Sequence, residues 1–91
     1  TALIIAADSS FSKIAEILLD NGANIEDTNT FGHTALMCAA EAGCTEVVQA
    51  LLVKGANIEV TNTFGYTALR LAERYGYTET AQMLRIRQVA S

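Results

Sequence analysis

Apolar residues are grouped along the chain in short clusters with helical spacing, separated by polar segments rich in Asn, Thr and Gly. Leu36, Ala39 and Ala40 lie at i, i+3 and i+4, which places them on one face of a helix. The segments 23–32 and 56–65 contain too much Asn and Thr to continue as helix. The pattern therefore predicts pairs of short helices joined by extended, projecting turns.

Hydroxyl residues and glycines mark the ends of these helices. Threonine precedes the first helix of each pair and is predicted to cap it, at Thr1, Thr34 and Thr67. Candidate N-caps of the second helices are Ser12, Thr45 and Thr78. Gly43 and Gly76 are expected to end the first helices in a left-handed conformation, and Ser10 takes this place less comfortably in the first pair. The apolar stripes of the second helices are predicted to be Ile14, Ile17 and Leu18, and then Val47, Ala50 and Leu51.

The chain repeats itself with a period of 33 residues. Residues 55–69 repeat residues 22–36 with two changes, and units 1–33 and 34–66 agree at 17 of 33 positions. Residues 67–91 form a third unit. A fixed period of this size is typical of solenoids, in which each helix pair needs a neighbour to bury its apolar face and about three units are needed for stability. We interpret residues 1–91 as one domain.

The repeated text resembles the ankyrin repeat. The resemblance rests on the runs GHTALMCAA at 32–40, GCTEVV at 43–48 and GANI at 55–58, which recur in order along nearly the whole chain. It implies an all-α solenoid of stacked antiparallel helix pairs with β-hairpin or turn fingers. The family usually has Pro after the threonine, His two residues later and Asp in the finger. This chain has Ala for the Pro, Ile4, Met37 and Arg70 for the His, and Asn29 and Asn62 for the Asp, whose side chains are still expected to hold the turn.

The two ends of the array differ. Arg85 stands where the earlier units have leucine, and Arg87 and Gln88 follow it, so that the last unit is predicted to act as a C-terminal cap. Unit one has no such polar substitution and begins inside the repeat. We expect further repeats or a capping helix to precede residue 1 in the full-length protein.

Charge and composition narrow the class of partner. The net charge of −4 and the pI of about 4.7 disfavour nucleic acid, because its binders cluster Lys and Arg. No apolar run is long enough for a membrane span and no signal peptide is recognisable. Cys38 and Cys44 lack the companions of a disulfide framework or zinc site, so we expect reduced thiols and a cytoplasmic or other intracellular location.

The sequence shows no set of catalytic groups, and we predict neither an enzyme nor a cofactor or metal site. His33 is the only imidazole and is interpreted as an exposed contact residue rather than a general base. Cys44 is interpreted as a packing residue rather than a reactive thiol. Glu26 and Asp27 lack the further oxygen ligands that calcium requires.

The resemblance implies that partners bind to finger tips and to the outward positions of the first helices. Carried over by position, this surface consists of Thr28, Thr30, Phe31, His33, Glu41, Ala42, Thr61, Thr63, Phe64, Tyr66, Arg74 and Tyr75. Aromatic residues and arginine are frequent anchors of interfaces.

Alternatives to a binding role exist for several of these residues. The two phenylalanines could instead stack along the fingers and serve the fold. Tyr66, Arg74 and Tyr75 are not repeated between units, so stacking does not require them, but a solvated rim would also account for them. The sequence favours a scaffold that binds another protein. The alternatives are a spacer or intramolecular docking segment of a larger protein, and an enzyme completed by residues outside this chain.

Overall fold

Three pairs of short helices follow one another along the chain in the computed structural model, which describes residues 1–90 and the side chains of residues 1–89. The helices are α1 Ala2–Asp8, α2 Ser12–Asp20, α3 Ala35–Ala42, α4 Thr45–Val53, α5 Ala68–Arg74 and α6 Thr78–Ala90. Only two or three residues connect the two helices of each pair, so the helices pack as antiparallel neighbours. Consecutive pairs are separated by the predicted polar fingers.

The helices form two layers. The first helices α1, α3 and α5 pack side by side, and the second helices α2, α4 and α6 form the other layer. The first helices carry fully buried alanines, among them Ala7, Ala39, Ala40 and Ala72. Their small side chains let the helix axes approach closely. This is the all-α stack that the repeat predicts.

Threonine caps all three first helices, as predicted. The backbone N–H of Ile4 donates to Thr1 Oγ1 over 3.3 Å, that of Met37 to Thr34 Oγ1 over 3.3 Å, and that of Arg70 to Thr67 Oγ1 over 3.2 Å. Each such cap contributes about 1 kcal/mol to helix stability.

The predicted caps of the second helices are wrong for Ser12 and Thr45. Both residues are already helical, and the N-cap positions belong to Phe11 and Cys44, which make no side-chain capping bond. The reason lies in the corner before them. In the middle unit, Gly43 adopts a left-handed conformation and turns the chain sharply. Thr45, two residues later, therefore already belongs to the first turn of α4. Thr78 is likewise the first residue of α6.

The corner residues adopt the predicted left-handed conformation. Gly43 and Gly76 have φ of +68° and +75°, and Ser10 is the one non-glycine residue with positive φ among residues 1–90, at +62°. A side chain is strained in this region of backbone space. At Gly43 space is short as well, since a Cβ there would lie 2.6 Å from the ring of Tyr77.

The apolar stripe predicted for the first unit is wrong in part. Ile14 and Ile17 are 49 % and 54 % exposed and Leu18 is half-buried, whereas Ala15 is the buried residue of α2. Val47, at the position that corresponds to Ile14, is 0 % exposed. The difference follows from the neighbours, because α4 packs against both α2 and α6 within its layer, whereas α2 has substantial contacts in that layer with α4 and no other described helix.

Asparagine side chains hold both fingers closed, as predicted. Asn29 Oδ1 accepts from the backbone N–H of Phe31 and His33 over 2.9 and 3.0 Å. Asn62 Oδ1 repeats the arrangement with Phe64 and Tyr66 over the same distances. Within residues 1–90 the fingers are hydrogen-bonded turns and contain no β-strand. The Asn therefore replaces the usual Asp without loss of the finger.

The last helix runs longer than its counterparts. Gly22 and Gly55 follow the ends of α2 and α4 with φ of +88° and +89°, but Gln88 stands at this place in α6 and the helix continues to Ala90. Arg85 is exposed and its Nη2 lies 2.6 Å from the Glu73 carboxylate of α5. The role of this unit as a C-terminal cap stays a prediction.

Candidate partner-binding surface

The finger turns place a phenylalanine at each tip. Because the asparagine side chain folds the backbone back at 29–33 and 62–66, Phe31 and Phe64 project outward and are 57 % and 69 % exposed. The backbone N–H and the hydroxyl of Thr63 both donate to the Phe31 carbonyl oxygen over 3.1 Å. These bonds tie one finger to the next, so the tips form a connected row.

Most of the predicted contact residues lie at the surface. Exposed are Thr28, Thr30, Phe31, Thr61, Thr63, Phe64, Arg74 and Tyr75, half-buried are Glu41, Ala42 and Tyr66, and buried is His33. One of the exposed set, Thr63, uses its hydroxyl within the fold.

Six of the predicted residues meet around one cleft of about 430 Å³. It lies between the second finger and the first helices α3 and α5, and is lined by His33, Glu41, Asn62, Phe64, Tyr66, Leu71, Arg74 and Tyr75. Thr28, Thr30, Phe31, Ala42, Thr61 and Thr63 lie outside this lining. The cleft thus joins aromatic rings to one carboxylate and one guanidinium.

The expectation that His33 is exposed is wrong. The residue is 9 % exposed, because the second finger and α3 close over its ring. His33 Nε2 lies 3.4 Å from Glu41 Oε1 and 3.4 Å from Asn62 Nδ2, and Nδ1 is buried without a partner. The ring therefore forms the floor of the cleft and joins two successive units.

Phe31 and Phe64 do not stack on one another. The Phe31 ring meets the His33 ring edge-on, with centroids 6.4 Å apart and an interplanar angle of 83°. The part of the chain that the structure describes has no ring contact between the two phenylalanines. The alternative that these rings serve the fold by stacking along the fingers is therefore wrong, and Phe64 remains an exposed apolar wall of the cleft.

Two arginines of α5 lie against the ring of Tyr66. The Arg70 and Arg74 guanidinium carbons lie 5.9 and 5.4 Å from the centre of its ring, within the range of cation–π attraction. Arg74 Nη1 also lies 3.3 Å from the Tyr66 hydroxyl oxygen, to which it donates. The three side chains hold each other in place at one edge of the cleft.

Sequence reasoning missed three participants in this surface. Leu71 and Asn62 line the cleft, although the sequence assigns Asn62 to the finger turn and gives Leu71 no role. Arg70, which departs from the family motif, lies against Tyr66. A signal for Arg70 exists in the sequence, because Arg70 and Arg74 are four residues apart and thus share a helix face.

A comparison with protein families matches the sequence pattern of ankyrin repeats, in three copies, to residues 3–89. The chain belongs to the ankyrin-repeat family. No curated protein matches the chain. Ankyrin repeats generally act as protein-interaction modules and are generally non-enzymatic scaffolds. Among residues 1–90 of this ankyrin-repeat chain no helix has the length and apolar character needed to cross a membrane.

Proposed function

We propose that this ankyrin-repeat chain binds a partner protein through the cleft between its second finger and α5. The observation that supports this most directly is the joint exposure of Phe64 and Tyr75, which lie on opposite elements yet line the same cleft. Aromatic side chains bury large apolar areas and, in tyrosine, offer a hydroxyl for a hydrogen bond. Residues of this kind supply most of the binding energy of protein interfaces.

The cleft is also held in shape before any partner arrives. Asn62 fixes the backbone on both sides of Phe64, and the Arg74–Tyr66 contact fixes the opposite edge. A preordered surface loses less conformational entropy on association than a flexible loop does. Rigid recognition, rather than folding upon binding, is the mechanism that follows.

A second depression of similar volume supports the choice by contrast. It lies along the second helices, measures about 410 Å³ and is lined by Ser12, Glu16, Thr45, Glu46, Gln49, Glu79 and Met83. Three of these residues are glutamates and none is aromatic. Glutamate is depleted and aromatic residues are enriched in the cores of protein interfaces. The cleft beside the second finger is therefore the better candidate.

The test is capture of partners by the immobilised chain from a lysate of its source cells, with quantitative identification of bound proteins. We expect Phe64→Ala combined with Tyr75→Ala to lose the specifically bound protein. The Phe11→Ala variant is the matched control, because Phe11 is also an exposed phenylalanine and lies outside the cleft. Equal capture by the double variant and the wild type would refute the assignment to this cleft, and failure of the wild type to capture any protein would favour a spacer role. Thermal unfolding checks that all variants remain folded.

A further inference from the structure

The cleft has a positively charged edge that the fold itself does not neutralise. Lys54 and Arg85 each lie 2.6 Å from a carboxylate oxygen, of Asp20 and Glu73 respectively. In contrast, no carboxylate of the described residues lies within 4 Å of the Arg70 or Arg74 side-chain nitrogens. Both guanidiniums are nevertheless gathered around the single ring of Tyr66.

This arrangement places two like charges near one ring and leaves their hydrogen-bond donors available. Arg74 uses one donor on the Tyr66 hydroxyl, and each guanidinium carries five N–H groups. Two positive charges near one ring repel one another, and an anion that contacts both would relieve this repulsion. Guanidinium groups also match the planar geometry of carboxylate and phosphate oxygens.

We propose that the partner segment in the cleft carries an anionic side chain that binds Arg70 and Arg74, next to an apolar side chain that enters between Phe64 and Tyr75. This inference rests on the proposed function, since it names the chemistry of what the cleft binds. The occupant is therefore a peptide segment of a partner protein in which Asp, Glu or a phosphorylated residue neighbours a large apolar residue.

The surroundings of the arginines favour such a segment over a polyanion. Glu41 lines the same cleft, at the His33 side, and the chain as a whole has a net charge of −4. A nucleic acid, with a charge at every phosphate, would be repelled by this acidic body. One anionic group beside apolar surface satisfies both the two arginines and the aromatic walls.

The experiment is a selection from a display library of random linear peptides on the immobilised chain. We expect the selected peptides to be enriched in Asp or Glu adjacent to Phe, Trp, Leu or Met. Parallel selections on the Arg70→Gln/Arg74→Gln variant should lose the acidic preference and keep the apolar one. Selection on the Phe64→Ala/Tyr75→Ala variant should lose both, because the apolar pocket is then gone.

Synthetic versions of one selected peptide then measure the charge contact by itself. Changing the peptide acid to its amide should weaken binding to the wild type about tenfold, since a hydrogen bond to a charged group contributes on the order of a factor of ten. The same change should have no effect on binding to the double arginine variant. A peptide with phosphoserine at this place distinguishes the anion, because tighter binding than Glu indicates phosphate and weaker binding indicates carboxylate.

The outcomes separate this inference from the proposed function. Peptides that depend on Phe64 and Tyr75 but show no acidic preference would overturn the inference and leave the proposed function intact. Peptides that bind equally well to the Phe64→Ala/Tyr75→Ala variant, or failure to select any peptide, would overturn both. The Lys13→Gln variant, which neutralises an exposed cation outside the cleft, should behave as the wild type does.

Discussion

Replacing Asn62 by alanine tests how the second finger holds its shape. The change removes the acceptor of two backbone hydrogen bonds, from Phe64 over 2.9 Å and from Tyr66 over 3.0 Å. A hydrogen bond contributes about 1 kcal/mol net, so the loss is expected to be at least about 2 kcal/mol. Asn62 is 7 % exposed, and water therefore replaces the lost acceptor poorly.

Asn29 provides a matched comparison, because it makes the same two bonds in the first finger over 2.9 and 3.0 Å. It is only half-buried, so water reaches the freed N–H groups and Asn29→Ala should cost about 1 kcal/mol. The second control is Asn62→Asp, which keeps a side-chain oxygen that can accept both hydrogen bonds and should recover most of the loss. These differences separate the hydrogen bonds from the mere removal of a side chain.

Urea unfolding followed by circular dichroism measures these differences in the free energy of unfolding. A cost of about 2 kcal/mol is a large part of the stability of a chain of this size, which is about 5–14 kcal/mol, and it lowers the thermal midpoint by about 10 °C. Equal losses at Asn62 and Asn29 would refute the argument from burial. A loss below about 0.5 kcal/mol for Asn62→Ala would refute the argument from hydrogen bonding.

Three further comparisons test the corner, the core and the buried thiol. Gly43→Ala should destabilise the chain by about 2–3 kcal/mol, since the new Cβ meets a tyrosine ring at 2.6 Å, while Gly76→Ala, with φ of +75° and open space, should cost about 1 kcal/mol. Val47→Ala should cost about 2 kcal/mol and Ile14→Ala less than about 1 kcal/mol, because only Val47 is fully buried. Burial, aided by nearby carboxylates, raises the pKa of Cys38 from 9.0 to about 11, so the wild type should lose stability relative to Cys38→Ala as the pH rises through this range.

Denaturant unfolding measures all three. Similar losses of unfolding free energy for Gly43→Ala and Gly76→Ala would show that the Tyr77 ring moves aside freely. Similar losses for Val47→Ala and Ile14→Ala would contradict the packing of α4 between α2 and α6. A stability difference between the wild type and Cys38→Ala that does not change with pH between 9.0 and 11 would contradict the burial of a neutral thiol, because only the unfolded chain ionises it near pH 9.0.

The features that the sequence predicts correctly are local or repeated. Thr34 caps the helix that begins at the next residue, Gly43 needs only its own backbone to turn the corner, and Asn62 bonds within its own finger. Each depends on residues within four positions along the chain, for which residue type alone determines the favourable interaction.

The features that it misses depend on neighbours distant in the chain. His33 is buried because Asn62, 29 residues later, and the α3 carboxylate of Glu41 close around it. Ile14 has the same helical spacing as Val47, yet its burial depends on which helices flank it. Periodicity identifies a face of a helix but not what covers that face.

For the candidate site, the sequence predicts which parts of the chain come together but not how their side chains are arranged. Phe64, Tyr66, Arg74 and Tyr75 do line one cleft, because the repeat fixes where fingers and first helices meet. The grouping of Arg70 with Arg74 around the tyrosine ring is a matter of side-chain rotamers, which sequence spacing does not determine.

Photo-crosslinking tests the central claim, that a partner protein occupies this cleft, most directly. Benzoylphenylalanine, which carries its reactive group on a phenylalanine frame, replaces Phe64 in one variant and Phe11 in another, and both positions are exposed. The account predicts a covalent adduct with the captured partner from position 64 and none from position 11. An adduct from position 11 alone would contradict it, because the partner would then bind the first unit and not the cleft.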